Sequence, residues 1–382
     1  MTNSNSYDFD TVTERHNTHS LKWDKYKGQD IIPLWVADTD FKVAPAIQQA
    51  IEERVQHGVF GYTRTDQERN QVVADYYKKK YNCEVQGDWI VWVPGIVASL
   101  SLAIRSLSKQ HKQVLTPDMV YPYFHTTPAA AGKQANHLAM TYAQDRVRID
   151  IDALEKRNAT EAKVMLFCNP QNPGGAVYTR TELERIDAYC KANNLVFVSD
   201  EIHADIILDE DKRHLPYLDV SPHALNNSIV LGAASKAFNV AGLACSWAVI
   251  ANPEIRQAFK DEMHGIISEI NPLGFTATLT ALTQGDDWLQ AMNTYLRHNR
   301  DYLMTEFADI RGVRMLPLES TFLAWLDVSE LALEDPVAFF EAAGVGLSAG
   351  QGFNDGNFLR LNFGCPRSVL EQAIKRIKKV LA

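Results

Sequence analysis

Four stretches of this chain carry side chains and backbone able to do chemistry together. Each follows a short apolar run. After Ile-Val-Trp-Val (90–93) come Pro94, Gly95, Ile96, Val97 and Ala98, then a helical pattern. After Val-Met-Leu-Phe (164–167) come Cys168, Asn169, Pro170, Gln171, Asn172, Pro173, Gly174 and Gly175. Leu-Val-Phe-Val (195–198) leads into Ser199, Asp200, Glu201, Ile202 and His203, and Ile-Val-Leu (229–231) into Gly232, Ala233, Ala234, Ser235 and Lys236. A helix N-terminus presents free N–H groups that suit a phosphate. A lysine with no acid beside it in sequence suits a Schiff base, and a buried aspartate suits a protonated ring nitrogen. Phosphate, aldehyde and pyridine nitrogen together describe pyridoxal 5′-phosphate (PLP). Alone, each feature is commonplace: Ser-Lys occurs in solvated loops, proline–glycine turns are rigid for their own backbone reasons, and a strand-terminal aspartate often caps a helix. Their order and shared position after apolar runs give them weight.

The elements that must position these groups follow from the hydrophobic pattern. Continuous apolar runs, with Trp-Ala-Val-Ile (247–250) as a fifth, predict strands buried on both faces. Helical stretches between them, such as 181–193 with Leu183, Ile186, Tyr189 and Cys190 in step, predict a mainly parallel sheet between helix layers. Ligands of such sheets bind at the carboxyl ends of the strands. Pro45 opens an amphipathic helix through Val55. Farther on, the pattern predicts a long helix from about Trp288 to Ile310, strands at 322–326 and 358–363, a helix at 336–343 and a last helix from Arg367 to Leu381. The fold class expected is α/β, with a mainly parallel sheet between helices: an N-terminal arm and small-domain segment (1–45), a large domain that would bind PLP (46–285) and a smaller α+β domain (286–382).

Composition narrows the function. In 382 residues, 38 are basic and 47 acidic, a net charge of −9 that offers no field for nucleic acid or an anionic membrane. No apolar run approaches the ~18–20 residues a membrane span requires. The first ten residues lack the charged and apolar regions of a signal peptide, so a cytoplasmic location is expected. Cys83, Cys168, Cys190, Cys245 and Cys365 form no C-x-x-C, and read as reduced thiols with no metal site.

The chain resembles the aminotransferase class I/II superfamily of fold-type-I PLP enzymes, and within it the C–S β-lyase (cystathionine β-lyase) branch. The resemblance rests on WVADTDF, FGYTR, PGIVASL, VYPYF, NPQNPGG, SDEIHADI, ASKAFNVAGL and RLNFGCP, in the family's order along the whole chain. It implies that Lys236 forms the Schiff base and Asp200 pairs with the ring nitrogen. Asn172 would bond the ring hydroxyl, with His203 nearby, and Tyr121 would stack on the ring. Ile96 and Val97 would offer N–H groups to the phosphate, and Ser235 a hydroxyl. Tyr62 would reach the phosphate in the neighbouring subunit, giving a homodimer with shared sites. Arg360 would clamp the carboxylate of a small amino-acid substrate, aided by Asn172 and by backbone near Ala37. Two departures stand out: Ala233 where the family commonly has serine, and Asn172-Pro173-Gly174-Gly175-Ala176 in place of the usual NPTGR. The activity implied is α,β-elimination from S-substituted cysteines to a thiol, pyruvate and ammonia. The alternatives are an aminotransferase, which uses the same residues, and a regulator-binding protein with a secondary lyase activity.

Overall fold

The computed structural model describes residues 7–143 and 146–382, so the first six residues of the expected N-terminal segment lie outside it. Seven strands form the central sheet: β1 (Ile90–Val93), β2 (Gln113–Pro117), β3 (Gln134–Leu138), β4 (Ala162–Cys168), β5 (Val196–Asp200), β6 (Ser228–Gly232) and β7 (Ser246–Val249). Their order is β1-β7-β6-β5-β4-β2-β3. β7 runs antiparallel to both its neighbours; the other pairings are parallel. Every strand except β7 therefore points the same way, and the carboxyl ends of β1, β2, β4, β5 and β6 share one edge. The five predicted runs all lie on strands, displaced at their ends by at most two residues. β2 and β3 are additions: QVLTP and QANHL are too polar to read as buried runs, yet the ladder to β4 places β2 inside the sheet and β3 at its rim.

Helices cover both faces. The helix Ile96–Leu107 packs one apolar side against β4, β5 and β6, and Arg180–Ala192 is held at its start by a capping box between Thr179 and Glu182. Pro45–His57, with proline in its first turn, packs against Pro272–Gln284. The second sheet is antiparallel, with β8 (Arg314–Met315), β9 (Leu323–Asp327), β10 (Ser348–Ala349) and β11 (Phe358–Asn362) in the order β8-β9-β11-β10. The long helix Asp286–Ala308 and the last helix Arg367–Leu381 pack with it. Ile32 and Pro33 pair in parallel with Val345 and Gly346. Phe9, Leu34, Phe41, Ala44 and Ile47 share the core of this C-terminal part. No helix among the described residues is long and apolar enough to cross a membrane, and none of their His, Cys, Asp and Glu side chains gather into a metal-binding group.

Candidate active site

Strand register places the candidate residues together. Cys168 pairs with Asp200 across β4 and β5, and Asp200 with Leu231 across β5 and β6. The segments Asn169–Gly175, Asp200–His203 and Gly232–Lys236 thus leave adjacent strands side by side. Gly95 sits beyond β1 at φ +128°, a region that favours glycine, and starts the helix at Ile96 with no side-chain cap. The N–H groups of Ile96 and Val97 lie in that uncapped first turn. Gly175, at φ +71°, has Leu318 so close that a Cβ would stand 2.6 Å from Leu318 Cβ.

Three charged groups dominate the electrostatics. Asp200 is buried at the end of β5 and accepts the Ile202 N–H at 3.1 Å. Burial raises its carboxyl to about 7, opposed by the Ile202 hydrogen bond and by Lys236. Lys236 donates from Nζ to the Ala37 carbonyl oxygen at 2.7 Å. Burial, reinforced by the positive charge of Arg360, brings its ammonium down to about 8, while Asp38 and Asp200 pull the other way. Arg360, on β11, is 6% exposed. It donates from Nη1 to Asn172 Oδ1 at 3.1 Å and from Nη2 to the Trp35 carbonyl at 3.1 Å and Ser348 Oγ at 3.4 Å. The Phe353 ring lies 4.7 Å from its guanidinium carbon, and Nε has no partner. Burial lowers Arg360 to about 10, which leaves it cationic at neutral pH.

Around these lie Asn172, buried and holding Arg360, and His203, 2% exposed with Nδ1 unpartnered. Burial, with Lys236 and Arg360 adding to it, lowers His203 to about 3, so its ring is neutral. Tyr121 is half-buried beside Tyr123, ring centroids 5.3 Å apart, and burial raises its hydroxyl to about 12. Ser235 precedes the lysine, and buried Ala233 offers only a methyl group. The Ala37 carbonyl meets Lys236, and the Trp35 carbonyl meets Arg360. Tyr62 stands apart, with its side chain fully exposed near exposed Val59 and Phe60. Glu201, next to Asp200, is structural. Its carboxylate accepts from Ser199 Oγ at 2.9 Å and the Tyr217 N–H at 2.9 Å, and meets His214 Nε2 at 2.8 Å.

Sequence reading missed Ser348 and Phe353, brought to Arg360 by the pairing of β10 with β11 and the turn between them. Neither has a local signal. It also missed Asn239 and Asn362, which stand three and two residues beyond Lys236 and Arg360 inside quoted motifs and could have been found there.

The donor set fits PLP. A buried carboxyl pushed up to about 7 has room for a cationic partner, an orphaned imidazole nitrogen can pair with a hydroxyl, an uncapped helix start awaits an acceptor, and the lysine amine lies among them. Comparison with known proteins agrees. The family model for aminotransferase class I and II matches residues 29–377. The chain is 32% identical to cystathionine β-lyase PatB of Bacillus subtilis strain 168, over 98% of this chain and all of that protein. The crystal structure of OvoB superposes with a TM-score of 0.95 at 39% identity, covering 98% of this chain and 99% of that one. The PLP-bound C–S lyase from Staphylococcus hominis gives a TM-score of 0.90 at 30% identity, covering 98% of both. The chain belongs to the aminotransferase class I and II family of fold-type-I, PLP-dependent enzymes.

Proposed function

We propose that this chain is a PLP-dependent carbon–sulfur β-lyase that converts S-substituted L-cysteines to a thiol, pyruvate and ammonia. The observation that carries the reading is the meeting at one sheet edge of the Lys236 amine, the Asp200 carboxyl and the Arg360 guanidinium. The names of PatB, a cystathionine β-lyase, and of the Staphylococcus hominis C–S lyase favour elimination over amino transfer.

In this reading Lys236 would hold the cofactor's aldehyde carbon, Asp200 its ring nitrogen, and Asn172 with His203 its ring hydroxyl. Tyr121 would cover the ring, while Ile96, Val97 and Ser235 would hold the phosphate. When bound, PLP supplies an electron sink for the negative charge that develops at the substrate Cα. The protein supplies the rest. Arg360, already aimed by Asn172 and Trp35, takes the substrate carboxylate in its fork and fixes which Cα bond faces the lysine. The Lys236 amine, set free when the substrate's own amino group takes its place, would then accept the Cα proton. The Cβ–S bond then breaks and its electron pair leaves with the sulfur as a thiolate. Water converts the remaining three-carbon unit to pyruvate and ammonia.

The same reading makes the enzyme a homodimer, because Tyr62 lies on an exposed loop with Val59 and Phe60 and touches nothing of its own site. It also places the enzyme in the cytoplasm, in keeping with five free, buried cysteines.

The test is product formation from L-cystathionine with and without a keto acid. Elimination yields pyruvate, ammonia and homocysteine with no acceptor added. Turnover strictly dependent on keto acid, with no pyruvate in its absence, replaces the lyase by an aminotransferase.

A further inference from the structure

Residues 35–41, Trp-Val-Ala-Asp-Thr-Asp-Phe, form a strap across the site, and its carbonyl groups divide between two tasks. Those of Trp35 and Ala37 meet the working cations: Trp35 accepts from Arg360 and Ala37 from Lys236. Four of the others, those of Val36, Asp38, Thr39 and Phe41, are held by asparagines. Asn362 donates from Nδ2 to the Val36 carbonyl and, at 2.6 Å, to that of Asp38. Asn239 donates to the carbonyls of Thr39 at 3.0 Å and Phe41 at 2.8 Å, and accepts the Thr39 N–H at 3.2 Å. Asn362 lies two residues past Arg360 on β11, on the same face. Asn239 lies three residues past Lys236. Each cation is thus followed in sequence by a clamp on the strap that it contacts.

The strap is also held from outside the site. Arg15 Nη2 reaches Asp38 Oδ2 at 2.8 Å, and its Nη1 reaches Asp40 Oδ1 at 2.6 Å and the Thr39 carbonyl at 3.2 Å. The fully buried Lys22 ammonium meets Asp40 Oδ2 at 2.8 Å, and Trp23 Nε1 donates to Asp40 Oδ1 at 2.9 Å. Two cations from outside the site thus face two carboxylates on the strap. Buried ion groups are poor sources of net stability, because desolvation offsets their attraction. What such a group imposes is geometry.

We propose that Arg15 is a positioning residue for the reaction. With Lys22 it pins Asp38 and Asp40, and so holds the strap where the Trp35 and Ala37 carbonyls aim Arg360 and Lys236. The inference rests on the reading of Arg360 as the carboxylate clamp and Lys236 as the base. An arm residue with no contact to substrate thereby sets both substrate affinity and proton abstraction.

The experiment uses the holoenzyme and 2-aminoisobutyrate, an amino acid without a Cα hydrogen, whose binding is read from the cofactor's visible absorbance. At equal cofactor occupancy, Arg15→Met should raise its Kd and lower kcat for L-cystathionine, each roughly tenfold or more, as small misplacements of reacting groups do. Arg15→Lys, which keeps one charge at the strap, should recover most of the Kd. A lower Tm with occupancy-normalised Kd and kcat equal to wild type would overturn the proposal, leaving Arg15 a purely structural residue. Should Arg15→Met fail to fold, Arg15→Gln, which is polar but carries no charge, decides by the same two readouts. Arg360→Met in parallel separates the premises. If it binds 2-aminoisobutyrate like wild type, the carboxylate reading fails; if it is impaired while the strap variants are not, only the present proposal fails.

Discussion

Lys236 Nζ donates to the Ala37 carbonyl oxygen at 2.7 Å, so an amine on the large sheet's edge is oriented by backbone from the N-terminal segment. With one N–H committed to that carbonyl, the nitrogen's lone pair is turned elsewhere when the amine is neutral. Burial and Arg360 together hold the ammonium near 8, against an ordinary value of 10.5. In cofactor-free protein, reductive methylation of Lys236 should therefore reach half its maximal rate near pH 8, ahead of the solvent-exposed lysines. Arg360→Met should move this midpoint upward, because it removes a positive neighbour. Peptide mass spectrometry across a pH series reads both; a wild-type midpoint at or above 10 would contradict the assigned environment.

Asp200 yields the opposite dependence. Its carboxyl is raised from 3.8 to about 7 in the cofactor-free fold. Between those values the folded chain keeps a proton that the unfolded chain has lost. Stability from this group is therefore full below about pH 4 and is lost as pH rises through 7. A shift of this size corresponds to a loss on the order of 4 kcal/mol. Asp200→Asn, which cannot ionise, should flatten that part of the urea-unfolding profile of the cofactor-free protein. In the holoenzyme the same substitution should lower kcat by about a hundredfold, since a neutral amide would no longer hold a proton on the ring nitrogen and the electron sink would weaken. A variant whose pH–stability profile still follows wild type would place the titration on another group.

How much of this was legible in the chain depends on where each partner comes from. Lys236, Asp200, Asn172 and the helix at Ile96 follow apolar strands directly, and adjacent strands of a parallel sheet leave their ends together, so local pattern was enough. β2 and β3 escaped notice because Gln113, Gln134, Asn136 and His137 interrupt any apolar run, and backbone pairing to β4 overrides that composition. Arg360 was legible as a residue but not as a geometry. Its partners Trp35, Asn172, Ser348 and Phe353 come from four separate segments, which only tertiary packing unites. Arg15 and Lys22 carry no local sign at all; an arginine and a lysine in an irregular N-terminal stretch ordinarily face solvent.

Arg360 should resist conservative replacement. Its fork is spread over Asn172, the Trp35 carbonyl and Ser348, with Phe353 against the guanidinium plane. Lysine has a single ammonium centre, which cannot keep these bonds and also grip a carboxylate two-pronged. Charge-assisted hydrogen bonds are worth roughly 1.5–3 kcal/mol each, so Arg360→Lys should lower kcat/KM for L-cystathionine by at least about tenfold, mostly through KM. Asn172→Ala should cost less in KM than Arg360→Lys, since Trp35 and Ser348 still aim the guanidinium. Steady-state kinetics at saturating PLP check the order; equal KM values for Arg360→Lys and wild type would remove the carboxylate role.

Tyr62 provides the test of a shared site. Its side chain is fully exposed on the protomer, and neighbouring Val59 and Phe60 are exposed as well, an uneconomical arrangement for apolar groups unless a second surface covers them. If the partner's cofactor phosphate is what Tyr62 meets, Tyr62→Phe and Lys236→Ala are each defective alone but complementary. A heterodimer of the two joins Lys236 from the first chain to Tyr62 from the second in one intact site, while its other site lacks both. After equal mixing and random exchange, half the dimers are mixed, so activity should recover to about a quarter of wild type for a two-fold dimer with shared sites. Subunit exchange is followed independently by native mass spectrometry with one chain isotope-labelled. Verified heterodimers with no activity above the sum of the two parents would confine each site to its own chain.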